Sequence, residues 1–179
     1  MKLLKLLFIP IDAALSRIAA AIGALVLVQF PNFVVHYLQR LGGHIDELTR
    51  TVTQYRETAA LSGKTLEQLI ELHRSSGIKE IARTGEIIQS SAERLIYLKE
   101  SLEAISSAQP LTRFFTFIRH ADLDIARAAF SNYTPGFSFN TECILYAGAG
   151  LLAASFCYFI FRTLILFAFE KLSGNDQAD

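Results

Sequence analysis

Two long apolar stretches, one near each end of the chain, constrain the fold more than any other feature of this sequence. They run over Ile18–Tyr37 and Cys143–Phe169. Each is long enough to cross a hydrocarbon core of about 30 Å, which takes roughly 20 helical residues. We therefore predict transmembrane helices over residues 18–38 and 142–169, with a separate region between them.

The charged residues are concentrated between these two stretches. Only 19% of the 179 residues are charged, whereas a soluble domain usually carries about 25%. Residues 38–141 nevertheless hold 12 Lys/Arg and 12 Asp/Glu, as an ordinary soluble helical region does. Because the formal net charge is zero, the chain lacks the basic excess typical of nucleic-acid binders, and we expect no nucleic-acid partner.

A heptad pattern of apolar residues continues directly from the first stretch. Its spacings alternate between four and three residues, which is typical of a coiled-coil seam. The seam consists of Val34, Leu38, Leu41, Ile45, Leu48, Val52, Tyr55 and Ala59. We expect the spanning helix to begin after a break at Pro10, to be kinked at Pro31, and to continue as an arm that ends at Ser62-Gly63.

A second apolar seam follows a short helical corner. Thr65 and Gln68 form a capping-box pattern for a helix over Thr65–Ser75, and Gly77 closes it. The next helix is predicted from Ile78 to about Ser107. Its seam is Ile78, Ile81, Gly85, Ile88, Ala92, Leu95, Leu98, Leu102 and Ile105. Two seams joined by a short corner predict an antiparallel helical hairpin with coiled-coil character over residues 39–108.

The segment after the hairpin is amphipathic. We predict an amphipathic helix and a turn over 109–141, starting at Gln109-Pro110, which either packs on the hairpin base or lies along the bilayer. Asn140 or Thr141 is expected to cap the second spanning helix, and 170–179 forms a tail. The predicted fold class is therefore all-α, with two transmembrane helices and an intervening helical hairpin domain.

The N-terminal segment, residues 1–17, sets Lys2 and Lys5 among apolar residues. One interpretation is a cleaved secretory signal, because a basic start precedes an apolar run. We favour an interfacial segment whose lysines reach anionic headgroups, since Asp12 and Arg17 interrupt the run.

Basic residues near the ends of the two spans indicate the orientation in the membrane. They are Lys2, Lys5, Arg17, Arg162 and Lys171. This distribution places both termini in the cytoplasm and the helical region on the other side, although Arg40 and Arg127 flank that side. We expect Arg162 to lie at the cytoplasmic interface.

Glycine and alanine positions mark the expected packing surfaces. Gly42-Gly43 interrupts a good helix at roughly 1 kcal/mol per glycine, which we interpret as close approach by another helix. Small residues in the second span favour packing against the first span or against a second copy. The predicted interaction residues are Leu41, Gly42, Gly43, Ile45, Leu48, Val52, Gly148, Gly150 and Ala154.

The chemically reactive residues do not form a recognisable site. On a single helix His120 and Asp124 would share a face while Asp122 would not, so we expect a solvated surface and no metal site. Cys143 and Cys157 stand about 20 Å apart on one helix, so they are interpreted as small apolar fillers, unless Cys143 joins two copies. Together with the absence of hydrolase, metalloprotease and nucleotide-loop motifs, this predicts no enzyme activity and no cofactor.

Six short motifs, spread over most of the chain, carry a family resemblance. They are Gln29-Phe30-Pro31, Leu41-Gly42-Gly43, Asp46-Glu47-Leu48, Asp124-Ile125-Ala126, Tyr133-Thr134-Pro135 and Gly148–Gly150. In this order they resemble a family of uncharacterised bacterial inner-membrane proteins, mostly proteobacterial, which is defined only as a domain of unknown function. The resemblance implies an inner-membrane protein with two spans flanking a helical region, and it brings no known activity.

Three functions are consistent with these features. The first is a structural or scaffold protein that contacts membrane lipid and binds a second copy or an envelope protein through its seams. The second is a homo-oligomeric channel lined by the polar residues of the spans, chiefly Gln29, Asn32 and Ser155. The third is an accessory subunit of an envelope complex. We favour the scaffold because the spans offer few polar groups for a pore.

Overall fold

The computed structural model describes the backbone of residues 2–136 and 140–175, and the side chains of 11–136, 140–165 and 167. Within these residues the chain forms six helices and no strand, so the all-α prediction is confirmed. The helices are α1 (Lys2–Leu61), α2 (Leu66–Arg74), α3 (Lys79–Ser107), α4 (Pro110–His120), α5 (Leu123–Ser131) and α6 (Thr141–Asn175). The side chains of the predicted tail, 170–179, and those of Lys2 and Lys5 lie outside this description.

The helices belong to two structural units. Unit 1 comprises Met1–Asn32 and Thr134–Asp179, and unit 2 comprises Phe33–Tyr133. The α1 helix contributes its first half to unit 1 and its second half to unit 2, while α6 belongs to unit 1. Helices α2 to α5 belong to unit 2, which contains the predicted hairpin and the amphipathic segment.

Helix α1 is continuous through both of its prolines. The predicted break at Pro10 is therefore wrong. A proline removes one backbone donor and clashes with the preceding turn, but ending the helix in apolar surroundings would leave several backbone groups without partners. The single lost hydrogen bond is the smaller cost.

The arm ends where the sequence predicts, and glycine makes the ending possible. Gly63 adopts a φ of +65°, in the left-handed region. The N–H of Lys64 donates to the carbonyl of Ala59, and the N–H of Gly63 donates to that of Ala60, both at 2.9 Å. This Schellman arrangement satisfies the last carbonyls of α1.

The corner helix α2 begins with the predicted capping box. Thr65 accepts a hydrogen bond from the Gln68 N–H at 3.3 Å, and the Gln68 side chain accepts one from the Thr65 N–H at 3.0 Å. The helix ends at the C-cap residue Ser75, two residues before Gly77.

The core of unit 2 follows most of the predicted seams, with one shift on each helix. The predicted start of the second seam is wrong, because Ile78 and Ile81 are 56% and 39% exposed. Buried seam residues are Val34, Leu41, Ile45, Val52 and Ala59 on α1, and Gly85, Ile88, Leu95, Leu98 and Ile105 on α3. Tyr37 takes the buried place expected for Leu38, and Ser101 takes that expected for Leu102. The shift brings two polar side chains into the core, where Tyr37 accepts from the Asp122 N–H and Ser101 donates to the His120 carbonyl.

The amphipathic segment forms two helices and not one. Gln109 caps α4 with Pro110 at the first position, as the sequence predicts. The chain then breaks at Asp122, whose carboxylate accepts hydrogen bonds from the N–H groups of Asp124 at 3.1 Å and Ile125 at 3.0 Å. A side chain that caps a helix start has to stand outside the helix, so Asp122 separates α4 from α5.

Helix α6 begins at the predicted cap and is one of two helices long and apolar enough to cross a membrane. The N–H of Cys143 donates to the Asn140 side chain at 2.7 Å, which confirms Asn140 as the cap. The other such helix is α1. Only 22% of the most apolar segment of α1 and 6% of that of α6 are buried. The core helix of a soluble protein, by contrast, is mostly buried.

Two glycine substitutions in unit 2 are expected to act in opposite directions. Gly63→Ala should lower the free energy of unfolding by about 1 kcal/mol, because alanine disfavours the left-handed backbone. Gly43→Ala should raise it by up to about 1 kcal/mol, because alanine favours the helix and the added Cβ meets no atom within 4 Å. Denaturant titrations of the detergent-solubilised protein, followed by circular dichroism, measure both. Shifts of the same sign would contradict this assignment.

Candidate functional site

The two helices of unit 1 approach each other most closely at Gly23 and Gly150. A Cβ added to Gly150 would overlap the carbonyl oxygen of Gly23 and lie 3.0 Å from the Cα of Ala24. A Cβ added to Gly23 would overlap the Cβ of Ala154. The backbones of α1 and α6 are therefore in direct contact, which is how small residues let membrane helices associate.

Of the three small residues predicted to pack in the second span, Gly150 and Ala154 meet the chain's own α1. Gly148 lies elsewhere on α6, where an added Cβ would meet no atom within 4 Å. Packing of Gly148 against a second copy stays a prediction.

Polar contacts occur towards both ends of this helix pair. At one end the Asn32 amide, which is 8% exposed, donates to the Gly136 carbonyl at 2.7 Å. At the other end the Asp12 carboxylate accepts from the Tyr158 hydroxyl at 2.7 Å and pairs with the Arg162 Nε at 3.0 Å. Twenty residues of helix span about 30 Å, which matches a hydrocarbon core. The polar contacts thus bracket a length of α1 suited to a bilayer.

The Arg162 contact was missed by the sequence analysis. We expected this side chain to lie at an interface, and the structure adds a partner, Asp12, on the other helix. The signal in the sequence is that Asp12 and Arg162 have opposite charges. An antiparallel pair of spans brings these two positions to the same depth along the helix pair. Both side chains remain partly exposed, at 49% for Arg162 and 35% for Asp12.

Both cysteines are free thiols in different surroundings. Cys143 is buried, and Cys157 is exposed along an open apolar groove of unit 1 that Ala19, Gly23 and Ala153 also line. Burial of Cys143 fits the filler role.

Unit 2 contains a buried polar network that also escaped the sequence analysis. The Asp122 N–H donates to the Tyr37 hydroxyl at 2.9 Å. Ser101 donates to the His120 carbonyl at 2.6 Å. Tyr37 is fully buried and Ser101 is 2% exposed. The network therefore joins α1, α3 and the junction of α4 with α5.

Asp122 has three roles in this network. Its carboxylate caps α5 and pairs with Arg94 at 3.1 Å, while its N–H donates to Tyr37. The helical face assumed for His120 and Asp124 is wrong, because the chain breaks between them. Asp124 instead lies exposed, 4.0 Å from Arg127.

The predicted arm residues lie in two different environments. Leu41, Ile45 and Val52 are buried in the core of unit 2, and Leu48 is half-buried. At Gly42 and Gly43 an added Cβ would meet no atom within 4 Å, so no part of the described chain requires glycine there. Close approach by a second chain at this pair stays a prediction.

The described residues contain no group of three or more His, Cys, Asp or Glu side chains that could hold a metal ion. The side chains that the structure does bring together act as hydrogen-bond partners and helix caps.

The described structure is that of an all-helical protein with two candidate membrane-spanning helices. The model of one family, DUF2937, described as a protein of unknown function, matches residues 11–171. The chain belongs to this family, which confirms that it falls in a domain of unknown function. No curated protein and no solved structure matches it.

The contact of α1 with α6 predicts a position-specific effect of bulk. Gly150→Leu should lower the free energy of unfolding by about 1–3 kcal/mol, because the side chain overpacks the contact with Gly23. Ala149→Leu, at an exposed position on the same helix, should leave it within about 0.5 kcal/mol. Unfolding in mixed micelles with increasing sodium dodecyl sulfate measures the difference, and equal losses would argue against the contact.

The polar network predicts a cost for removing one hydroxyl. Tyr37→Phe leaves the buried Asp122 N–H without its acceptor, so unfolding should become easier by about 1–3 kcal/mol. Tyr97→Phe is the matched control, because Tyr97 is 47% exposed on α3. Denaturant titration of both variants measures the effect, and an unchanged midpoint for Tyr37→Phe would exclude the network as a stabilising feature.

Proposed function

We propose that this chain is an integral protein of the bacterial inner membrane that anchors a helical interaction module and has no catalytic activity. The observation that carries the proposal is the exposure of the most apolar segments of α1 and α6. Only 22% of this segment is buried in α1, and only 6% in α6. Exposed apolar area of this extent requires a covering environment, and a bilayer supplies one of the right thickness.

The proposed topology puts both termini in the cytoplasm and unit 2 in the periplasm. The basic residues Lys2, Lys5, Arg17, Arg162 and Lys171 support this orientation through the positive-inside rule. The pairing of Asp12 with Arg162 is consistent with it, because it brings the N-terminal part of α1 beside the C-terminal part of α6. That pairing also favours a retained N-terminal segment over a cleaved signal.

A structural role is supported by the partners of the buried polar groups in unit 2, which are other groups of the same chain. The Tyr37 hydroxyl accepts from the Asp122 N–H, Ser101 donates to the His120 carbonyl, and the Asp122 carboxylate caps α5. Groups held in this way order a core. This favours a module that acts by binding, with a second copy or an envelope protein as its partner.

The same reasoning favours the scaffold over a homo-oligomeric channel. Asn32, one of three polar side chains expected to line a pore, is 8% exposed and donates to Gly136. Its amide therefore contributes to packing within unit 1. An accessory subunit without self-association remains the alternative in the scaffold class.

The mass of the protein in mild detergent, measured by light scattering with correction for bound detergent, tests the proposal. We expect a defined oligomer that Gly148→Leu dissociates without loss of helicity, because this position is open in the single chain. A monomer with a stoichiometric partner would identify the accessory subunit. Ion conductance by the reconstituted protein would contradict the scaffold role.

A further inference from the structure

Helix α4 carries a row of exposed apolar residues. Four apolar residues recur at positions i, i+3, i+4 and i+7, which places them on one side of the helix. Their exposed fractions are 77% for Leu111, 40% for Phe114, 71% for Phe115 and 64% for Ile118. Leu152 and Phe156, on the candidate span α6, are 69% and 65% exposed. We call these four α4 residues the α4 stripe.

A neighbouring side of α4 is held by aromatic contacts within unit 2. The Phe117 ring packs edge-on against Phe33, with centroids 5.8 Å apart, and against Tyr37 at 5.0 Å. Phe33 also packs edge-on against Tyr133 at 5.7 Å. The two alternatives for the amphipathic segment are thus compatible, because one face of α4 packs on unit 2 while the other stays exposed.

These contacts determine at which end of unit 2 helix α4 lies. Phe33 and Tyr133 are the first and last residues of the unit, and the chain continues from them into unit 1. Helix α4 is therefore attached at the end of unit 2 where the chain enters from one candidate span and leaves towards the other. If those helices cross a bilayer, this end of unit 2 is next to its surface.

The charges of α4 suit an anionic surface. Within Pro110–His120 the helix carries Arg113, Arg119 and His120 and no acidic residue. Arg119 is exposed and stands one turn after Phe115, beside the α4 stripe. A basic residue flanking an apolar stripe is typical of helices that lie in the plane of the membrane interface.

We propose that α4 is an interfacial helix whose α4 stripe inserts between lipid chains while Arg119 contacts anionic headgroups. The inference rests on the proposed function, because it requires the neighbouring helices to cross the bilayer. The occupant is lipid, since the covalent attachment of α4 next to both crossings brings the α4 stripe to the bilayer before any other partner.

The test uses the full chain, with Cys143→Ala and Cys157→Ala removing its only two cysteines. An environment-sensitive fluorophore is attached through Phe115→Cys, and the protein is reconstituted into phosphatidylcholine vesicles with and without phosphatidylglycerol. Leu61→Cys serves as the matched exposed control, because Leu61 is 90% exposed at the end of α1. Leu152→Cys reports on the candidate span itself.

The expected result is quenching of the probe at residue 115 by lipids that carry a quencher on the acyl chain, with none at residue 61. Arg119→Gln should lower the phosphatidylglycerol-dependent gain in the ratio of inserted to exposed helix, calculated from the quenching, by about fivefold, the contribution of one cation near an anionic surface. Quenching at residue 115 by aqueous iodide, as strong as at residue 61, would overturn the inference.

Two further outcomes separate this inference from its alternatives. If the probe at residue 115 resists both quenchers and loses this protection when the protein is diluted in lipid, a second copy covers the α4 stripe and the lipid assignment is wrong. If the probe at residue 152 is also quenched by iodide, the span itself fails and the proposed function fails with it. Accessibility at residue 115 alone refutes only the interfacial helix.

Discussion

The direct backbone contact between α1 and α6 at Gly23 and Gly150 is the interaction on which unit 1 depends. In lipid, two apolar helices gain little by hiding from their surroundings, so their association relies on close packing and on polar contacts. The glycines provide the close packing. The Asn32–Gly136 hydrogen bond and the Asp12–Arg162 ion pair provide polar contacts towards the two ends. An apolar helix pair with this pattern is suited to a bilayer and poorly suited to water.

Unit 2 is stabilised by different physics. Its seams bury apolar side chains, and the burial of Leu41, Leu98 and Ile105 is the main favourable term. Apolar seams alone tolerate sliding of one helix along the other. The buried hydroxyls of Tyr37 and Ser101 each bond to backbone groups at the junction of α4 with α5, and both can be satisfied in only one register, so we interpret them as the feature that selects the register.

The elements that could be predicted from the sequence depend on local signals. Capping residues identified the start of α2 at Thr65 and that of α6 at Asn140. Hydrophobic periodicity predicted a helix over Ile78 to Ser107, against the observed Lys79–Ser107. These signals act over a few residues, so they are readable without knowing which helices meet.

The features that could not be predicted depend on contacts between distant residues. A heptad count placed Leu38 in the core where Tyr37 lies, because only the partner network shows that a hydroxyl is satisfied there. The break at Asp122 was hidden by apolar periodicity on both sides. The Asp12–Arg162 pair joins positions from opposite ends of the chain. Of the predicted interaction residues, Gly150 and Ala154 meet α1, and Leu41, Ile45 and Val52 pack in the core of unit 2.

The most direct test of the account is a depth profile of α6 in a bilayer. Spin labels placed singly along Thr141–Ile165 would report collision rates with oxygen, which concentrates in the hydrocarbon, and with a water-soluble nickel chelate. We expect the ratio of oxygen to chelate accessibility to peak near Leu151, about midway between Asn140 and Arg162, and to fall towards both. High chelate accessibility along the whole helix would contradict a membrane-spanning unit 1.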